Sequence, residues 1–557
     1  MDYIANSNDL TSVANAIRTR GGTSAPLSFP SGFVSAIGAI PSGGGGGAET
    51  KSLNFYDYDG TLVESFTTAE ALALSSLPAN PTHTGLTAQG WNWSLASIKS
   101  YLTDYPDATV NVGQMYITDD GKTRIYITLD DPDALSPYLA IAVNGTVSVD
   151  WGDGSTPDTM TGSSTSNVVY CQHVYDSVGE YVISIEVVSG SFAFYTKSSS
   201  DSSCLIVSNN NRIRSRLYSK AITKINIGSN VHITSNAFHN CYSLLSVNIP
   251  DDITDIGINA FSGCYSLSSI TIPDSVTSIG TSAINACYLL SSIAIPNGVT
   301  SINDSAFQNC YSLSSITIPD SVTSIGNSAF SGCSLLQSIT IPDSVTSIRN
   351  SLFSSCNSLQ SITIPDSVTN IGANAFYNCY SLLSVNIPDD ITSIGSSAFQ
   401  GCPALSSITI PDGVTSIGNT AFQSCYSLSS VNIPDGVTSI GSNTFYSCYS
   451  LSSITIPDSV TSIRSSAFQN CYSLSSITIP DGVTSIESNA FNNCYGIFDY
   501  HFKSTTPPTL ANVNAFTNIL PDTIIYVPYS EDHSVIEAYK TATNWSTYAS
   551  RMQEEPQ

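Results

Sequence analysis

Basic residues are scarce. Against 43 Asp plus Glu there are only 17 Lys plus Arg, leaving a net charge of -26. Such a field repels phosphate backbones and anionic headgroups at long range, which excludes nucleic-acid and membrane-surface roles. Long apolar runs are missing as well. No stretch reaches the ~20 residues a membrane-spanning helix needs, so no membrane insertion is expected. Met1 to Arg20 lacks the basic start and apolar run of a secretory leader and reads as a short polar helix. There is no C-x-x-C pair, and His83, His173, His232, His239, His501 and His533 follow no common spacing, which argues against zinc. No Ser/His/Asp or Cys/His grouping is legible, so no cofactor and no catalytic residue are assigned. Charged residues make up 11% of the chain, where an average soluble protein has about 25%. Ser, Thr and Asn must therefore solvate the surface, as suits a rigid β-rich protein more than an enzyme.

What the chain has is a period. Over 557 residues, long enough for three or four domains of roughly 100 to 200 residues, there are 14 cysteines. Cys171 and Cys204 lie outside any pattern. The other twelve fall at Cys241, Cys264, Cys287, Cys310, Cys333, Cys356, Cys379, Cys402, Cys425, Cys448, Cys471 and Cys494, every step being 23 residues. A fixed period with no insertion marks a solenoid, whose coils bury their apolar faces only by stacking. In the unit from Cys310 to Phe330, the residues Leu313, Ile316, Ile318, Val322, Ile325 and Phe330 should form inward ladders. Ile316, Thr317 and Ile318 alternate in, out, in, as a strand requires, and Pro319-Asp320 stops it because proline has no N–H to donate. The Val-Thr-Ser-Ile run up to Gly326 reads as a second extended segment. Ala329, Phe330 and Cys333 fall in a turn or short helical piece with the thiol pointing inward as a small hydrophobe. Coils about 4.8 Å apart would also permit a disulfide ladder. Equal spacing, however, gives every thiol two equivalent neighbours and no pairing rule.

The motif SLSSITIPDSVTSIGNSAFSGC resembles the BspA-like, or Treponema-type, leucine-rich repeat over about residues 215 to 500. The tail resembles that family's terminal cap, with Tyr526-Val527-Pro528 followed by an amphipathic helix. The resemblance implies binding rather than catalysis, since family members are typically adhesins contacting proteins, matrix or other cells. The expected fold is mainly β: about 12 coils of leucine-rich-repeat solenoid, preceded by a β-sandwich-like region and a short helical N-terminal module.

Two outward columns are candidate ligand-binding surfaces. On the long strand, Ser269, Ser292, Ser315 and Ser338 lie beside Thr317, Thr340 and Thr363 in a flat, nearly uncharged face; hydroxyl pairing across coils accounts for it equally well. After each cysteine stands a tyrosine: Tyr242, Tyr265, Tyr288, Tyr311, Tyr380, Tyr426, Tyr449, Tyr472 and Tyr495. Tyrosine offers stiff contact area with a polar tip, the makings of an interface, though packing along the coil edge accounts for it too. Ser334, Asn357 and Pro403 interrupt this column. The Asp after each proline, as at Asp320, caps a turn. A row of such carboxylates could attract calcium, but each lacks further acidic ligands nearby, so no metal site is assigned.

Upstream of the repeats, residues 1–47 read as two short helices, Leu10, Val13, Ala14 and Ile17 sharing one face and Phe29, Phe33, Ile37 and Ile40 another, ending in the tether Gly43 to Gly47. So small a piece should dock on a partner or self-associate. It resembles N-terminal modules of tail-associated structural proteins of phages and prophages. Residues 48–205 read as β-rich. Within them VSVDWGDGS and HVYDSVGEYVISIEV resemble a PKD-type β-sandwich near 135–190, with Trp151 to Ser155 as a turn. Asp57-Tyr58-Asp59-Gly60-Thr61-Leu62 matches the motif of haloacid-dehalogenase-like phosphatases. That chemistry needs a parallel α/β sheet, a downstream Lys and a second acidic pair, and a hairpin turn at Asp59-Gly60 accounts for the residues more simply.

The expected organisation is thus a 1–47 anchoring module, a 48–205 β-rich region, repeats over 206–500 and a cap over 501–557. The expected function is a phage or prophage tail-associated receptor-binding protein in the virion, recognising a host cell-surface protein or glycan. Its other expected partners are tail proteins bound through residues 1–47, with a homotrimer as the expected assembly. The alternative is a BspA-like adhesin at the bacterial cell surface or secreted.

Overall fold

A computed structural model describes residues 53–56, 62–79, 81, 86–91, 95–104, 110–118, 120–132, 134–194, 205–206 and 220–556. The helices and tether expected over 1–47, Asp57, Asp59 and Cys204 lie outside them. The chain forms two compact units, residues 1–121 and 122–557.

Among its described residues, the first unit is a small mixed sheet with two helices. Strands β1 (Leu53–Tyr56), β2 (Leu62–Phe66), β3 (Leu86–Trp91) and β4 (Val110–Thr118) stand in the order β2-β1-β4-β3. Helix α1 (Thr68–Ala73) begins in a capping box between Thr67 and Glu70, and α2 is Leu95–Asp104. Leu53, Phe55, Ala71, Ile98 and Leu102 form the core. Within the region read as β-rich, these helices supply Ala71, Ile98 and Leu102 as apolar faces for the sheet. β1 and β2 run antiparallel, the hairpin read from Asp59-Gly60.

In the second unit, β5 (Thr123–Leu129), β6 (Tyr138–Asp150), β7 (Asp158–Gln172) and β8 (Gly179–Phe194) are long antiparallel strands ordered β5-β8-β6-β7. β5 alternates buried and half-buried residues, as a strand with one face on a core must. Where β6 crosses β8 the backbones approach so closely that a Cβ on Gly190, which has φ +77°, would lie 1.8 Å from the Asn144 carbonyl oxygen. These strands share one sheet with the start of the solenoid. β9 (Leu205–Ile206) pairs with β6, and β10 (Ile222–Asn226) pairs antiparallel with β5 on one side. On its other side β10 pairs parallel with Ser246–Asn248, the long strand of the first cysteine coil.

From there the chain makes about 14 turns of 23 residues. Counting cysteines gives fewer turns because Ile222–Asn226 before them and Ile524–Val527 after them keep the strand position without the thiol. Each turn has three sides. The long strand pairs in register with the next, as Ser292, Ile293 and Ala294 do with Ser315, Ile316 and Thr317. Pro319 ends it, and its carbonyl accepts the Val322 N–H at 3.0 Å. A short strand such as Ser324–Ile325 makes the second ladder. The third side is a turn in which alternate amides reach the following coil: the N–H groups of Ser328, Phe330 and Gly332 donate to the carbonyls of Asn350, Leu352 and Ser354. That alternation requires left-handed residues four apart, here Ser328 at φ 56° and Gly332 at φ 78°. Asn and Gly recur at these two positions because they tolerate positive φ best, and small Ser fills most of the others.

Inside, every expected ladder residue of the Cys310 unit is buried, and phenylalanine rings stack coil on coil from Phe307 to Phe491 with centroids 5.2 to 5.8 Å apart. Phe516 continues the stack into a cap where Tyr539, Trp545 and Tyr548 close the core. Helix α3 (Ser534–Thr541) follows the strand holding Tyr526 and Val527, as the sequence indicates.

Candidate functional site

The repeat cysteines from Cys264 to Cys494 point inward, each thiol donating to a carbonyl of the preceding coil, Cys333 Sγ to Phe307 O at 3.2 Å for example. Burial pushes the Cys310 and Cys494 thiols up to about 12, so these groups stay protonated and unreactive. They fill the core and offer no redox or metal chemistry at the surface. Among the described residues no three His, Cys, Asp or Glu side chains meet in a way that could hold a metal ion. No helix among them is long and apolar enough to cross a membrane.

A polar cluster sits at the Trp151 turn. Trp151 is fully buried, its indole donates to Asp158 at 2.8 Å, and its ring stacks on His173. His173 Nε2 meets Asp153 at 2.7 Å, and Tyr175 donates its hydroxyl to the Trp151 carbonyl at 2.9 Å. Every polar group in this cluster is used to fasten the turn, which leaves none of them aimed at an open cavity.

The outward columns are where the sequence places them. Thr317, Thr340 and Thr363 are exposed on successive coils, with Ser269, Ser292, Ser315 and Ser338 exposed beside them. Tyr242, Tyr265, Tyr288 and Tyr311 form one stack with ring centroids 4.4 to 4.7 Å apart. Tyr426, Tyr449, Tyr472 and Tyr495 form a second at 4.8 to 5.7 Å. Tyr380 belongs to neither and is 49% exposed. Hydrogen bonds from Ser312 N to Tyr288 O and from Ser314 N to Ser291 O carry the tyrosine segment into the long strand. The two columns therefore share one side of the coil. Within each stack the rings pack on their neighbours and stay partly exposed at their edges.

Four exposed leucines escape a reading based on the repeat consensus. Leu289 and Leu335 replace the serine two places after the cysteine, and Leu245 and Leu383 replace the one four places after it. Their signal is the departure itself, an apolar residue in an otherwise hydroxylic column. Leu335 sits in the coil where Ser334 ends the first stack, and its amide donates to the Tyr311 carbonyl at 3.2 Å. A second feature lies on the short-strand side, a shallow groove lined by Gly418, Gly441, Ser439 and the exposed Arg464.

Comparison with known proteins agrees with this geometry. The family model described as BspA type leucine rich repeat region matches in several copies over residues 188–314, 277–406 and 392–520. A solved leucine-rich repeat protein from Bacteroides ovatus is 32% identical, with 60% of this chain and 84% of that one covered and a TM-score of 0.52. A leucine rich cell surface protein from Faecalibacterium prausnitzii is 31% identical, covering 59% of this chain and 94% of its own, with a TM-score of 0.35. No curated protein in the comparison matches.

Proposed function

The chain belongs to the BspA-type leucine-rich repeat family, and from that premise we propose that it is a non-catalytic recognition protein acting at a bacterial cell surface. The observation that carries this reading is the continuous outward side of the solenoid, where two tyrosine stacks and Leu289, Leu335 and Leu383 stay in solvent on a rigid frame. Exposed aromatic and aliphatic groups in register, set among uncharged hydroxyls, suit a broad contact made of many modest interactions rather than a pocket. Leucine-rich solenoids of this family are typically binding proteins, commonly at cell surfaces.

The test is labelling of intact cells. Fluorescently tagged chain should bind gut bacteria or epithelial cells saturably, with excess untagged chain displacing it. Labelling that never saturates, or that unfolded chain reproduces, removes the recognition role.

Carriage on a phage or prophage tail is a second reading, supported by the resemblance of residues 1–47 to tail-associated modules. Immunogold against the repeats should decorate tail tips of induced lysates if the virion is the site. Bare tails beside labelled cells eliminate it and leave the adhesin.

A further inference from the structure

Within a stack of tyrosines each ring covers the face of the next, so only edges and hydroxyls remain for a ligand. Free faces exist only where the column breaks. Pro403 stands where a tyrosine would, between Tyr380 and Tyr426. Proline is tolerated there because the equivalent N–H, that of Tyr311, makes only a local bond to Asn309 and none between coils. The register sets Tyr380 and Tyr426 two coils apart, about 10 Å at the ~4.8 Å spacing of paired strands. A floor of Pro403 and Ala404, both half-buried, lies between them.

Neighbouring features add to this. On the far face of Tyr380 lies Asn357, whose Oδ1 is buried without a hydrogen-bond partner. The long-strand ladder is also interrupted in this stretch, its paired runs ending at Ser384–Asn386 and resuming at Ser430–Asn432.

Resting on the recognition role above, we propose that the break at Pro403 is a slot for one neutral pyranose ring of a surface glycan, held between the faces of Tyr380 and Tyr426. A planar ring in contact with both faces needs only about 7 to 8 Å between them at carbon contacts of 3.5 to 4.0 Å. A chair-shaped sugar is thicker and presents C–H groups to both sides. Its hydroxyls then project past the floor toward the serines and amides of the rim. The net charge of -26 favours neutral over anionic glycans.

The experiment is saturation-transfer NMR of the full chain with cellotetraose, maltotetraose, chitotetraose and mannotetraose. At least one should give a saturable signal strongest at ring C–H protons. Tyr380→Ala and Tyr426→Ala should each raise its Kd at least ten-fold. Tyr449→Ala, in the middle of a stack, should change it less than two-fold. Pro403→Tyr completes the column and should abolish binding with the circular dichroism unchanged, whereas Pro403→Ser keeps the gap and should keep the binding. Silence from all four sugars overturns the slot, as does equal loss in Tyr449→Ala or full binding by folded Pro403→Tyr. If saturable cell labelling persists while the sugars are silent and protease treatment of the cells abolishes it, the slot falls, a protein partner takes its place and the recognition role stands. If cell labelling is itself absent, the wider reading falls.

Discussion

Cys333 donates its thiol hydrogen to the carbonyl oxygen of Phe307, 26 residues earlier and one coil away, and Cys356 repeats the bond to Phe330. The thiol column is thereby a hydrogen-bonded column, which explains why Cys rather than Ala or Val fills the position. It should also be chemically silent. Iodoacetamide at pH 8 is expected to leave the repeat thiols unmodified in the folded chain and to alkylate them after denaturation, because burial excludes the reagent and disfavours the thiolate, pushing Cys310 and Cys402 up to about 12. Mass spectrometry of the two digests checks this. Cys356→Ala, losing both volume and bond, should cost about 1 to 3 kcal/mol in urea unfolding.

Truncating the phenylalanine stack should be more damaging. Phe399 is fully buried between Phe376 and Phe422 at 5.2 and 5.6 Å. Phe399→Ala should lose about 3 to 5 kcal/mol. Hydrogen exchange should rise in the coils on either side and remain unchanged near the caps, since each coil touches only its neighbours.

Thr420 is a β-branched residue at φ 59°, in a column otherwise held by Asn and Ser over most coils. Branching at Cβ makes that region costly. Thr420→Asn should therefore stabilise by about 0.5 to 1 kcal/mol, and Ser328→Val should destabilise by at least as much. Denaturant midpoints of the two variants give opposite signs if the backbone is as described.

Thr123 ties the β5 sheet to the solenoid, its buried hydroxyl accepting the Gly228 N–H at 2.9 Å. Thr123→Val keeps the shape and strands that amide, at a cost of about 1 to 3 kcal/mol. Thr123→Ser should retain most of the stability, and thermal melts of the pair separate the hydrogen bond from the packing.

The Trp151 turn should loosen in acid. Hydrogen bonding by Ser155, aided by His173, lowers the Asp153 carboxyl from 3.8 to about 2. A group with a depressed folded pKa contributes stability that is fully present above its unfolded value and is lost as pH falls through the folded one. The turn should thus weaken between about pH 4 and pH 2. The indole N–H resonance of Trp151 reports it, and Asp153→Asn should remove that pH step.

The repeat was legible because one residue pattern serves every coil: Leu313, Ile316, Val322 and Ile325 state the inward positions outright, and Pro319 marks the corner. The third side was not. Its bonds depend on positive φ at Ser328 and Gly332, and serine carries no distinctive signal for that conformation. Nor could composition show that β10 joins β5 to the solenoid, since Ile225 facing Ile125 is a pairing between residues 100 apart that look like ordinary strand. At the surface the tyrosines were visible as a column, but not that stacking hides their faces and that the breaks at Ser334 and Pro403 are where a face is free. Leu335 and Leu383 were invisible for the opposite reason, being departures from the consensus that defines the repeat.

Consecutive coils meet through the same in-register pairing, from Ser292 with Ser315 to Ser430 with Ser453, so any coil can follow any other. Misaligned recombination can insert or delete whole coils in frame, and the junction created is one the fold already contains. Array length is then free to drift between lineages at little cost to folding. An exchange between Tyr311 and Tyr426 shifts the spacing of Tyr311, Tyr380 and Tyr426, so the variation that folding tolerates there falls directly on the exposed tyrosine column.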